Sequence, residues 1–115
     1  MGLTAEALKR LRDAIGDDDA ILCEILQSFV DEVDSLIDQM TGAAQMGDVV
    51  TLRRVAHTLK SSCYDLGDHR TGTLCADLEE GLIKGTVMDA AASAMAIAAA
   101  CRALKQEVQD HIRSL

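Results

Sequence analysis

The chain has no proline and no tryptophan, and only one phenylalanine and one tyrosine. Without proline, no position is barred from a helix interior or robbed of its backbone donor. With aromatics at 2%, the core cannot be built on large rings. The 49% of hydrophobic residues must pack as Leu, Ile, Val, Met and Ala. Cations are scarce as well: 11 Lys and Arg stand against 19 Asp and Glu, for a net charge of −8. Neutralising a phosphate backbone takes clustered cations, which argues against nucleic acid as a general partner. Excess negative charge makes copies repel one another, and a monomer is expected.

Paired-cysteine motifs are also missing. Cys23, Cys63, Cys75 and Cys101 form no CxxC and match no zinc spacing. Each lies on or beside an apolar helical stripe, which predicts buried free thiols and suits a reducing, cytoplasmic setting. Long apolar runs are absent. MGLTAEALKRLRD lacks the apolar centre of a signal peptide. AAASAMAIAAACRALK is dominated by alanine, flanked by Asp89 and containing Arg102, and falls short of the ~20 strongly apolar residues of a membrane span. It predicts a closely packed helix and no membrane contact.

What the chain does have is helical periodicity punctuated by glycine. Leu8, Leu11 and Ile15 mark a short first helix over Thr4 to Ile15. The acidic run GDDDA supplies caps for a long second helix, about residues 19–45, whose stripe is Leu22, Ile25, Leu26, Phe29, Val33, Leu36, Ile37 and Met40. Asp48 caps a third helix reaching Leu66, and Asp68 a fourth with Leu74, Cys75, Leu78 and Leu82. Thr86 and Asp89 resemble a capping pair. They open a fifth helix carrying Met88, Ala91, Met95, Ala98, Leu104, Val108 and Ile112. No strand alternation competes. Short connections make neighbouring helices antiparallel. The expected fold is all-α: one domain over residues 1–115, an antiparallel up-down-up-down four-helix bundle with a short N-terminal helix as a lid.

The stretch RRVAHTLKSSCYDLG holds the one histidine set among cations. At ~100° per residue, Leu52, Val55, Leu59, Ser62, Cys63 and Leu66 gather on one side of the third helix. His57 falls opposite, with Arg53, Arg54, Lys60, Ser61 and Tyr64 around it. A packed core histidine is therefore disfavoured. A catalytic triad is disfavoured too, because no acid lies three or four positions from His57 along the chain. Metal binding lacks an HxxxH or HExxH, and His69 and His111 lie on other segments. The cations suit a group that carries negative charge or meets an acidic surface.

AHTLKSSCYDLG followed by LCADLEE resembles the signature of histidine-containing phosphotransfer (HPt) domains of multistep two-component phosphorelays. That signature reads H-x-L-K-G-S-small-x-x-apolar-G, then C-x-x-L-E. His57, Leu59, Lys60, Ser62, Leu66, Gly67, Cys75, Leu78 and Glu79 fall in register. The resemblance implies a bundle phosphorylated on His57, with no ATP chemistry and no cofactor of its own. The phosphoryl group would come from a receiver-domain aspartyl-phosphate or a kinase and pass to another receiver's Asp, with Mg²⁺ held by the receiver. Expected partners are response-regulator receiver domains, a hybrid histidine kinase, or both. Lys60 would stabilise the transferring charge. Arg53, Arg54, Ser61 and Tyr64 would meet the partner. Two positions depart from the pattern: Ser61 replaces the usual glycine, and Tyr64 a usually small residue. They bear on access to the ring or on partner choice. A second reading is a degenerate HPt adaptor, never phosphorylated, that binds and occupies a receiver. A third, the phosphoacceptor piece of a histidine kinase, fits the motif less well.

Overall fold

The structure is a computed structural model that describes residues 2–115. Among them are five helices and no strand: α1 (Ala5–Ile15), α2 (Asp19–Met46), α3 (Val49–Asp65), α4 (His69–Lys84) and α5 (Ala90–Ser114). The last four form a ring in which α2 packs on α3 and α5, and α4 packs on the same two. This is the four-helix bundle with a short N-terminal helix. At ~1.5 Å per residue the 28 residues of α2 span about 42 Å, which sets the 43 Å long axis of the molecule.

The helix ends follow side-chain chemistry. Asp18 accepts from the amides of Ala20 and Ile21 at 2.8 and 3.2 Å. Asp48 caps α3 through Thr51 N at 3.2 Å. Asp68, itself buried, caps α4 through Thr71 N at 3.0 Å and also accepts the Thr71 hydroxyl at 2.7 Å. Each acid satisfies an amide that has no partner within its own helix. At α5 the capping expectation changes. Asp89 is itself the N-cap, accepting from Ala92 N at 3.0 Å, while Thr86 bonds back to the Gly81 carbonyl. Met88 therefore lies outside the helix.

The core is aliphatic, with Leu22, Leu26, Val33, Ile37, Met40, Leu52, Val55, Leu59, Ile97 and Leu104 all but fully buried. Burying each such side chain is worth roughly 1.5–3 kcal/mol. Three stripes differ from their periodicity readings; on α4, Leu74 is exposed beside the buried Cys75 and Leu78. On α2, Val30 and Ala43 are buried while Ile25 is exposed, and Phe29 and Leu36 are only half-buried at the edge of the core. On α5, Met88 and Met95 are 99% and 70% exposed, and Ala91 is exposed too; the buried row is Ala94, Ile97, Ala98, Cys101, Leu104 and Val108. Alanines on every side of α5 give little contrast, so the two methionines pull a sequence reading toward the wrong face. Packing against α2 sets the register, and Lys105 Nζ fastens it to Asp34 Oδ2 at 2.7 Å.

Cys63, Cys75 and Cys101 are fully buried and Cys23 is half-buried; all four are free thiols. Hydrogen bonding to Cys101 and Cys75, together with burial, pushes the Cys63 thiol up.

Gly67 does more than end α3. Its φ is +88°, and a Cβ there would collide with the Thr4 side chain and press on Ala7. The start of α1 docks on this corner, where Thr4 N donates to the Leu66 carbonyl at 3.2 Å. Gly85 has φ +70° but open space around its missing Cβ. Replacement by alanine should therefore cost about 1 kcal/mol at Gly85, from backbone strain alone, and at least ~2 kcal/mol at Gly67, where the collision is added. Urea unfolding of Gly67→Ala and Gly85→Ala measures the difference, and equal losses would remove the docking role of this corner.

Candidate functional site

His57 stands on the outer face of α3, as the 100° spacing requires, and its side chain is 61% exposed. A shallow cavity beside it is lined by Val50, Arg53, Arg54, Thr58 and Glu79 as well as His57 itself. All of these except Glu79 come from the first three turns of α3. Glu79 comes from α4, and the sequence reading missed it as a site residue.

Glu79 organises the site. Its Oε2 lies 2.8 Å from His57 Nδ1, and its Oε1 accepts from Lys60 Nζ at 2.6 Å. The Glu79 side chain is only 19% exposed, against 25% for Lys60. The Lys60 hydrogen bond holds the Glu79 carboxyl below its ordinary range against the opposing effect of burial, and His57 adds to the lowering. Glu79 is thus an ionised carboxylate, which can only accept. The shared proton must sit on His57 Nδ1. In the neutral ring this leaves the lone pair on Nε2, pointing away from Glu79.

An acidic partner for His57 is therefore present, but it lies 22 positions on rather than one turn away. The signal was in the chain: Glu79 follows Leu78 in the buried row of α4, so it sits at the edge of the α3–α4 seam. Triad logic along one helix could not find it.

The other expected residues divide into two groups. Arg53 and Arg54 are exposed on the N-terminal side of His57, and Arg54 donates to Gln39 Oε1 of α2 at 3.0 Å. Ser61 is exposed one turn beyond His57. Tyr64, two turns beyond, is only half-exposed. Its ring lies on Gly72 of α4, where a Cβ would come within 2.5 Å of Cε1. Its hydroxyl is 3.4 Å from Thr73 Oγ1, and the ring centroid is 5.6 Å from that of His69. The glycine at 72 makes room for the tyrosine at 64. Among the described residues no group of three or more His, Cys, Asp and Glu is placed to hold a metal ion, and no helix is long and apolar enough to cross a membrane.

Residues 24–114 match the family model described as "Hpt domain". The fold is similar to the crystal structure of histidine-containing phosphotransfer protein B (HptB) from Pseudomonas aeruginosa PAO1. The TM-score is 0.86 at 21% identity, covering 99% of this chain and 96% of that one. In sequence, 57 residues, half of this chain, are 40% identical to the sensor protein TorS of Escherichia coli strain K12. The matched stretch spans 6% of the length of TorS.

Proposed function

The chain belongs to the Hpt domain family, and on that premise we propose that it accepts a phosphoryl group on His57 Nε2 from a receiver-domain aspartyl-phosphate or a kinase, and passes it to a receiver-domain Asp. The observation that carries this reading is the Glu79 bridge to His57 Nδ1 and Lys60 Nζ. It fixes the tautomer, aims the nucleophilic nitrogen at solvent and keeps a cation one turn from the ring.

The chemistry follows from that arrangement. The Nε2 lone pair attacks phosphorus as the bond to the aspartyl oxygen breaks, and that oxygen leaves as a carboxylate. The ring becomes an N-phosphoimidazolium, whose remaining Nδ1 proton is held by Glu79. Ionised Glu79 compensates the positive charge that grows on the ring. Lys60 can meet the growing charge on the phosphoryl oxygens. A phosphoryl group held on a convex, exposed face is open to a second receiver, so the same geometry serves the return step. Arg53 and Arg54 flank the approach and favour encounter with an acidic partner; Ser61 borders it on the other side, and Tyr64 lies further along the same helix face. The magnesium that such transfers use would belong to the receiver.

A degenerate adaptor would bind a receiver and carry no label. Incubating the chain with a phosphorylated receiver separates the two readings. A label that is lost in acid and kept in base identifies phosphohistidine and supports the relay. Saturable binding with no label supports the adaptor.

A further inference from the structure

His57 divides the exposed face of α3 into two unlike halves. Toward the N-terminal end, the next exposed positions are Arg54, Arg53 and Val50. Val50 is 77% exposed and lines the same cavity as His57 and Glu79. Beside it at the α2–α3 turn, Val49 and Met46 are 45% and 84% exposed. Toward the C-terminal end come Lys60, tied to Glu79, then Ser61, then Tyr64 with its ring laid on Gly72, then the exposed acid Asp65.

Single exposed apolar residues are ordinary, but here an aliphatic patch adjoins the reactive ring with two arginines between them. In a chain of net charge −8, that half of α3 offers two arginines, whereas in the other half Lys60 is already paired with Glu79 and Asp65 is an exposed carboxylate. An aspartyl-phosphate donor presents a dianionic phosphoryl group among carboxylates. Its surroundings are drawn to the arginine half and repelled by Asp65. An apolar anchor bordered by Arg is also how binding energy concentrates in protein interfaces.

We propose that a receiver domain docks off-centre on α3, with Val50 as its apolar anchor and Arg53 and Arg54 against the acidic rim of its phosphoryl site, leaving the Asp65 end outside the contact. The proposal rests on the reading of His57 as phosphoryl acceptor, and it names which way the partner extends from that residue.

Val50→Asp tests it. An acid in the first turn of a helix complements the helix dipole, so α3 should form normally; circular dichroism and the melting temperature check this. Binding is measured by titration against a receiver domain whose acceptor Asp is capped with beryllofluoride. That receiver is chosen as the tightest-binding partner of the wild-type chain in a panel. The expected result is a Kd at least tenfold higher for Val50→Asp, with Asp65→Arg within twofold of wild type. A Val50→Asp variant that binds like wild type, or an Asp65→Arg variant weakened as much, overturns the proposal. The acceptor reading is tested separately by labelling the wild-type chain with phosphoramidate. If no histidine is labelled while Val50→Asp still loses binding, the relay reading falls and the docking surface stands.

Discussion

His57→Gln is expected to abolish phosphoryl acceptance, lowering acid-labile label by at least ~10³-fold, while leaving stability within about 0.5 kcal/mol of wild type. The first half follows because glutamine has no nucleophilic nitrogen: its amide lone pair is delocalised, whereas imidazole Nε2 offers a free one. The second half follows from exposure, since the side chain is 61% accessible and contributes nothing to the core. The comparison must include the other two histidines. His69 lies beside the Tyr64 ring, and His111 is half-buried with its Nε2 enclosed and unpartnered. Neither has a cation and a carboxylate arranged about it as His57 does. His69→Gln and His111→Gln should therefore keep wild-type label. Label that survives in His57→Gln would move the acceptor elsewhere. Receiver binding should persist in His57→Gln, because Val50, Arg53 and Arg54 remain.

The second large effect is expected at Glu79. Glu79→Ala removes both the acceptor for the Nδ1 proton and the anchor for Lys60. The ring can then turn and carry its proton on either nitrogen, so the reactive form is only part of the population. The charge developing on the ring during attack also loses its counter-ion. Together these should slow transfer at saturating receiver by about 10²-fold, within the range for a positioned proton-holding group. The half-saturating receiver concentration should change little, because Glu79 is tucked between the helices. Glu79→Gln keeps an oxygen that can accept the Nδ1 proton and should recover about half of that loss on a logarithmic scale. A purely structural role would instead move stability and leave the maximal rate intact, so the two quantities are to be measured on the same samples. An undiminished rate in Glu79→Ala would overturn the orienting role.

Acid gives the same residue a stability signature. The folded-state pKa of Glu79 is depressed, chiefly by Lys60. Its stabilising contribution is therefore present above the unfolded carboxyl pKa and is lost as pH falls through the folded value. Any advantage of wild type over Glu79→Gln should shrink as pH falls through the acid range in which the folded Glu79 carboxylate takes up its proton.

Much of this molecule is legible along the chain. Asp18, Asp48 and Asp68 announce three helix starts, because a short acidic side chain reaches amides two or three residues ahead without help from the rest of the fold. The outward direction of His57 and the inward direction of Leu52, Val55 and Leu59 follow from 100° per residue alone. Such features depend on neighbours along the chain and can be read there: an all-helical bundle, an aliphatic core, and a histidine held out among Arg53, Arg54 and Lys60.

The remainder came from how the helices pack together. The exposed row of α5 was set by packing on α2, since alanine on all sides leaves the helix without a marked face. The seating of Tyr64 on Gly72 and of Thr4 on Gly67 needed two elements brought within van der Waals reach. The proton on His57 depended on Glu79, which lies 22 residues away along the chain and 2.8 Å away across the α3–α4 seam. Periodicity tells which way a side chain points from its own helix. What it meets there is set by how two helices pack, and that is fixed by the fit of whole surfaces rather than by spacing along either one.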